Sequence, residues 1–276
     1  MKKILVPFEG ANFSPATLEF VRKLNESAPI LLTAAFVPEM DYANLWNPAT
    51  GIIGAPYLPK TDKEEDELIE SHSAILETFC RGQNIKYALH TDRLDFALPS
   101  IQKESRFADL MLVSSLHFFE RVSSEQPNAY LKELLHATEC PVLLLPDSAG
   151  LPENIILAYD GSPSSVYAIK QFIYLFPELS ALPATLVYID ENRKNEAPMP
   201  DRTGIEEWAG SHFSNLSILT LGLPKGAAFP EWIAAQKNPW LVTGSFGRSG
   251  LSLLLSKSFV AGVIKSNTVP LFIAHP

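Results

Sequence analysis

Apolar residues come in short bursts along this chain, separated by polar and turn-forming residues. "KILVPF" (3–8) is almost continuously apolar, and so is "PILLTAAFV" (29–37). Between them, Ser14-Pro15 offers a helix start, a serine cap followed by a proline in the first turn. Leu18, Val21 and Leu24 follow at helical spacing. The same grammar returns from residue 155. "IILAYDG" (155–161) is a burst ending in a loop, and Ser162-Pro163 and Ser164-Ser165 form a second cap region. Ala168, Phe172 and Leu175 keep helical spacing, and "ATLVYI" (184–189) is the next burst.

The later bursts match in the same order. "NIKYALH" (84–90) corresponds to "NLSILTLG" (215–222), and "ADLMLVSS" (108–115) to "NPWLVTGS" (238–245). "CPVLLLP" (140–146) corresponds to "VPLFIAH" (269–275). Each half therefore reads as five short strands with helices between them. Near-continuous apolar strands alternating with helices predict a parallel sheet covered on both faces. The fold class is α/β, as two tandem five-stranded parallel-sheet sandwiches, and the repetition of element order strengthens that reading. The boundary falls at "PDSAGLPEN" (146–154), which divides the chain into domains 1–147 and 152–276. So short a linker predicts that the halves pack as an internal pair.

The halves are unequal: 132 positions lead from Glu9 to Pro141, and 110 from Asp160 to Pro270. The extra length lies mostly between Pro38 and Leu68, in a stretch mixing aromatics, Gly and Pro with acidic residues. It reads either as a surface excursion packed by Trp46 and Tyr57 or as a lid or partner surface. The second half has a shorter counterpart, "NRKNEAPMPDRTGIEEW" (192–208), also without strand pattern.

Composition narrows the function. The 276 residues are 46% hydrophobic, enough for substantial cores, and carry a formal charge of −9. Nonspecific nucleic-acid binders and proteins held to anionic lipid rely on excess lysine and arginine, so both classes are disfavoured. A small anionic ligand stays compatible, because a pocket can concentrate backbone N–H groups. Two cysteines, Cys80 and Cys140, indicate neither a disulfide framework nor a thiolate metal cluster. With no signal-peptide pattern and no run long enough to span a membrane, the expected location is cytoplasmic.

No catalytic constellation stands out among the six histidines. There is no H-E-x-x-H, no zinc-like His/Cys spacing and no G-x-S-x-G elbow, and no histidine can be placed against Ser162. His117 stands at a functional-looking position, with loop or packing roles as the simpler account. The residues thus give no ground for an enzyme. "VTGSFGRSGLSLLLSKSFVAGVI" (242–264) carries closely spaced glycines and a Lys257-Ser258 pair. It is not a Walker A loop: both glycines that should precede Lys257 are absent, and the segment does not follow a first strand.

"KILVPFEGANFS", "IILAYDGSPSS", the late strands "CPVLLLP" and "VPLFIAHP", and above all "GSFGRSGLSLLLSKSF" resemble the universal stress protein family in a tandem two-domain form. The resemblance covers nearly the whole chain. It implies a Rossmann-like nucleotide-binding sandwich, like that of adenine nucleotide alpha hydrolases. Some members bind ATP or AMP, and others bind no nucleotide. The family's binding pattern is Gly, two residues, Gly, nine residues, then Gly followed by Ser or Thr. Gly244, Gly247 and Ser258 match it, while Lys257 stands where the last glycine is expected. The acidic residue after the first strand matches Asp160, the apolar adenine-side residue matches Ile189, and Phe259 and Val260 fall where backbone N–H groups meet phosphate. In the first half, Ser114 and His117 occupy the two glycine positions and Glu9 that of the aspartate, with Val37 as a possible pocket wall. Family members pair near the last strand, a contact that the two halves here can make within one chain, with further homo-oligomerisation left open.

Physical chemistry supports a site in the second half. An open parallel sheet places its crevice beyond the carboxyl ends of its strands, where Asp160, Ile189 and Gly244 converge. Asp160 suits a ribose hydroxyl or a Mg2+ near the phosphates; equally it suits an acidic residue at a helix start. Gly244 and Gly247 permit positive φ and close approach of backbone to phosphate; equally they suit a tight turn. Ser258 and a helix over 258–264 add a hydroxyl and N-terminal N–H groups. Lys257 either obstructs the phosphate or reads its charge, and Arg248 reads best as a solvated surface residue. The expected function is a regulatory protein binding ATP or AMP in its second domain. The alternative is an interaction or scaffold protein of the same fold without nucleotide, and a slow ATP hydrolase ranks below both.

Overall fold

The apolar bursts become parallel strands. A computed structural model describes residues 1–9, 14–37, 62–91, 97–115, 129–189, 198–222, 228–244 and 259–276. The first half contains β1 (Lys2–Glu9), α1 (Pro15–Ser27), β2 (Ile30–Val37), α2 (Asp62–Gly82) and β3 (Lys86–Thr91), then α3 (Ala97–Ser105), β4 (Leu110–Ser114), α4 (Ala129–Ala137) and β5 (Val142–Leu145). The second contains β6 (Asn154–Tyr159), α5 (Pro163–Leu175), a 3-10 turn (Pro177–Ala181), β7 (Ala184–Ile189) and α6 (Arg202–His212), then β8 (Leu216–Leu221), α7 (Ala228–Ala234), β9 (Pro239–Thr243), α8 (Phe259–Ser266) and β10 (Leu271–Ile273).

Both caps form as the sequence predicts. Ser14 Oγ accepts the Thr17 N–H at 3.3 Å, and Ser162 Oγ accepts the Ser165 N–H at 3.1 Å. Each satisfies a donor that the first helical turn leaves without an internal partner. The irregular stretch expected up to Leu68 is shorter, since α2 begins at Asp62. Trp46 and Tyr57 lie outside the described residues.

The strands form one ten-stranded sheet, in the order β3-β2-β1-β4-β5-β10-β9-β6-β7-β8. Within each half all pairings are parallel, and the halves join where β10 runs antiparallel to β5, Phe272 opposite Leu143. This pairing covers the edges that β5 and β10 would otherwise expose.

Alternate residues of each strand feed two cores, one per face. Ile4, Val6 and Phe8 of β1 join α1, α2, α5 and α6 on one side; Leu5 joins α3, α4, α7 and α8 on the other. Both cores run across the two halves. Phe20 of α1 lies 5.7 Å from Trp240 of β9, ring centre to ring centre, and Phe172, Phe176 and Phe272 complete the cluster. The Trp240 indole N–H donates to Gly150 O at 2.9 Å, tying the linker to the same seam. Among the described residues, no helix is long and apolar enough to cross a membrane.

Candidate functional site

The second-half candidate site begins where β6 turns into α5. Strand order places β6 between β9 and β7, all three parallel, so their carboxyl ends share one edge of the sheet. Tyr159 pairs with Tyr188 and Leu157 with Val242. Continued past its last pairs, the ladder sets Asp160 level with Ile189 and Tyr159 level with Gly244. Because β6 has its successor β7 on one side and the later β9 on the other, the crevice is a topological switch point, the ordinary ligand position in open α/β sheets. The structure thus brings together Asp160, Ile189 and Gly244.

Asp160 is exposed, and its Oδ1 accepts the Ser162 N–H at 2.9 Å. One carboxylate oxygen therefore organises the turn into α5, leaving the other able to meet a ribose hydroxyl or a divalent cation. Ile189 is half-buried and packs with Leu221 against the core beneath the sheet end. Phe259 and Val260 open α8, so their backbone N–H groups belong to its N-terminal turn. Gly247, Lys257 and Ser258, with Arg248, lie outside the described residues.

Gly244 has a specific packing reason. A β-carbon there would lie 1.9 Å from Ser164 O and 2.6 Å from Ser165 N, inside the first turn of α5. The end of β9 thus presses directly on the α5 backbone. Gly244 is not in the left-handed region; among the described glycines that conformation belongs to Gly161, at φ +81°. The expected close approach exists, then, but the approaching backbone is a helix N-terminus of the same chain. Gly244 thus lies beside the positive end of the α5 dipole, which favours a negative group nearby.

The first half differs at this level. Its ladder sets Ser114 where the second half has Gly244. Correspondingly, α5 packs on β9 more extensively than α1 on β4. Ser115 turns toward the other half: its hydroxyl hydrogen-bonds Asn267, the residue after α8, and lies 3.1 Å from Leu145 O. Val37 is buried at the end of β2. His117 lies outside the described residues.

The sequence reading missed Gly161 and Pro200. A β-carbon at Gly161 would lie 2.7 Å from Pro200 Cβ, and the Tyr159 hydroxyl donates to Pro200 O at 2.9 Å. Buried Met199 anchors this crossover segment in the core, so it clasps the Asp160 turn from the side. The Asp-Gly dipeptide signals a turn, but nothing local connects it to a proline some forty residues later. Burial, followed by the charges of Asp201 and Asp160, holds the Tyr159 hydroxyl above its ordinary pKa. The negative charges of Asp201 and Asp160 make the β6 end suited to hydroxyl donors or a cation. Among the described residues no group of three or more His, Cys, Asp or Glu is placed to hold a metal ion by itself.

No protein-family model matches the chain, and neither does any curated protein. Among solved structures, a universal stress protein from Archaeoglobus fulgidus DSM 4304 is similar over 99% of this chain and 98% of its own, with a TM-score of 0.66 and 16% sequence identity. The chain therefore has the fold of that protein along its whole length. A fructose-bisphosphate aldolase from Campylobacter jejuni aligns over 99% of this chain and 71% of its own, but its 10% identity and TM-score of 0.21 bear no structural argument.

Proposed function

We propose that the protein is a universal-stress-type regulatory protein, acting in the stress response, that binds an adenine nucleotide at the carboxyl ends of β6, β7 and β9. The observation that carries this reading is the meeting of Asp160, Ile189 and Gly244 on three adjacent strand ends at the switch point. Ile189 walls the base. Asp160 meets the ribose or a Mg2+ beside it. The loop from Gly244 through Gly247 to Ser258, with the N–H groups of Phe259 and Val260, receives the phosphates of ATP or AMP. Lys257 contributes a charge to them. Binding shifts conformation or partner choice, and the chain acts as a cytoplasmic sensor rather than an enzyme.

A second reading has its own support. The contact of Gly244 with the Ser164–Ser165 backbone is by itself a sufficient reason for that glycine, which fits a scaffold protein of this fold with no nucleotide. Calorimetric titration of the full chain with ATP and AMP, with and without magnesium, separates the two. Saturable heat, lost on Asp160→Ala, supports the nucleotide. No heat at millimolar ligand sinks it. Lys257→Ala then asks whether the lysine reads phosphate, and a gain of binding on Lys257→Gly would identify it as an obstruction.

A further inference from the structure

The sheet ends in two edge strands, β3 in the first half and β8 in the second, and they are built differently. β3 starts on exposed Lys86, and its His90 Nδ1 lies 2.9 Å from Glu104 Oε2 of α3. Charged side chains of this kind keep an edge strand from pairing with another chain. β8 has none: "SNLSILTLG" (214–222) contains no charged residue and no proline. Val37 and Ile189 end β2 and β7, so Ala35 and Val187 occupy matching positions, and they face His90 and Leu219 respectively. Where the first half sets a histidine held by a glutamate, the second sets a leucine that is 36% exposed.

The backbone of β8 fixes what can sit beside it. Asn215 O accepts the Ala184 N–H of β7 at 2.8 Å. Successive residues of a strand turn their N–H and C=O groups to opposite sides, so Leu216, Ile218 and Thr220 present theirs to the outer side. Among the described residues no strand pairs with that side. The Leu216 and Ile218 side chains pack on the core beneath α6. Ser217 and Leu219 project from the other face, and both are exposed. A row of outward donors and acceptors between uncharged side chains matches another extended strand.

We propose that β8 pairs antiparallel with the β8 of a second copy of this chain. A two-fold register centred on Ile218 uses every outward residue: Ile218 meets the partner's Ile218, and Leu216 meets the partner's Thr220. Ser217 then lies opposite the partner's Leu219. No like charges meet in this seam, although the chain carries −9 overall. The chain already closes one seam in the same manner, since β5 and β10, equivalent strands of the two halves, cover each other antiparallel. Pairing β8 with β3 of another copy would leave a free edge at each end and grow into an open filament, whereas β8 with itself closes at two copies. The pairing is independent of nucleotide binding at the β6 end.

The test is sedimentation of the full-length protein at about 0.15 M salt, from about 1 to about 100 µM chain, a span that brackets micromolar affinity. A monomer–dimer equilibrium is expected. Leu219→Lys, which sets an ammonium in the seam, should weaken the dimer about tenfold or more. Thr220→Pro deletes an outward N–H and leaves the bonds to β7 in place, so it should weaken the dimer through the backbone alone. Lys86→Gln, on the opposite edge, should leave it unchanged. A chain that stays monomeric at about 100 µM overturns the proposal. So does a dimer indifferent to both β8 variants, which would lie elsewhere on the surface. Mass that keeps growing beyond the dimer also overturns it and assigns the contact to open β8–β3 pairing. Should the β8 variants fail to fold, amide exchange of the 215–222 segment in the wild type decides, read by mass spectrometry. Exchange that slows as the chain is concentrated supports the pairing, and exchange independent of concentration overturns it.

Discussion

A β-carbon at Gly244 would stand 1.9 Å from the carbonyl oxygen of Ser164, so the end of β9 and the first turn of α5 are in direct backbone contact. Gly244→Ala should therefore destabilise the protein by about 1–3 kcal/mol, the usual cost of forcing atoms into a packed interior. The midpoint of denaturant unfolding measures it. Ser114→Gly, at the matching level of the first half, should cost less, since α1 packs less closely on β4 than α5 does on β9.

Gly161 makes a second demand of this kind. Its φ of +81° and the nearness of Pro200 act together against any side chain. Gly161→Ala should cost about 1–2 kcal/mol through the left-handed backbone alone, with the steric contact added. Pro200→Gly in the same background should recover the steric part. A double-mutant cycle measures that coupling, and strict additivity would show that the two residues do not press on each other.

Tyr159 ties the same turn to Pro200. Tyr159→Phe should cost about 1 kcal/mol, one hydrogen bond. The hydroxyl's pKa is raised in the folded state, so its neutral form favours folding. That contribution is fully present below the unfolded-state tyrosine pKa of about 10 and is lost as pH climbs through the higher folded value. Unfolding curves should show this alkaline loss in the wild type, with the tyrosine component absent from Tyr159→Phe.

The two cysteines are buried, and burial pushes the Cys80 thiol up to about 11 and the Cys140 thiol up to about 12. Folding therefore keeps both protonated at pH 8, and a thiol reagent should modify them only at the rate of unfolding. The same shifts predict stability that is complete below the ordinary value of 9.0 and declines as pH rises from there toward 12. Cys140→Ala should flatten that decline.

Phe20 and Trp240 belong to different halves yet share one aromatic cluster. Trp240→Ala should cost about 3–5 kcal/mol. Because both cores cross the β5–β10 junction, the loss should appear as one cooperative transition, in calorimetry and in near-ultraviolet circular dichroism alike. Two separated transitions in the wild type would contradict that coupling.

Much of this molecule is legible along the chain. Every strand burst became a strand, and Ser14 and Ser162 cap α1 and α5 through bonds spanning three residues. Apolar periodicity and capping are local physics, so a short window contains both cause and effect. The repeat adds topology, since parallel strands at matching positions must bring Asp160, Ile189 and Gly244 to one edge. Other relationships join residues far apart in sequence and leave no local trace. Ser164 explains Gly244, Pro200 leans on Gly161, Ser115 reaches Asn267, and β10 lies antiparallel to β5. The pairing of His90 with Glu104 is of the same kind, a residue of β3 meeting a residue of α3. The sequence by itself determined which elements exist and in what order they repeat, because each element's stability begins with its own neighbours. Only the tertiary structure decided which backbone presses on which glycine and which side chains meet, because packing depends on distances that the chain sets only once it has folded.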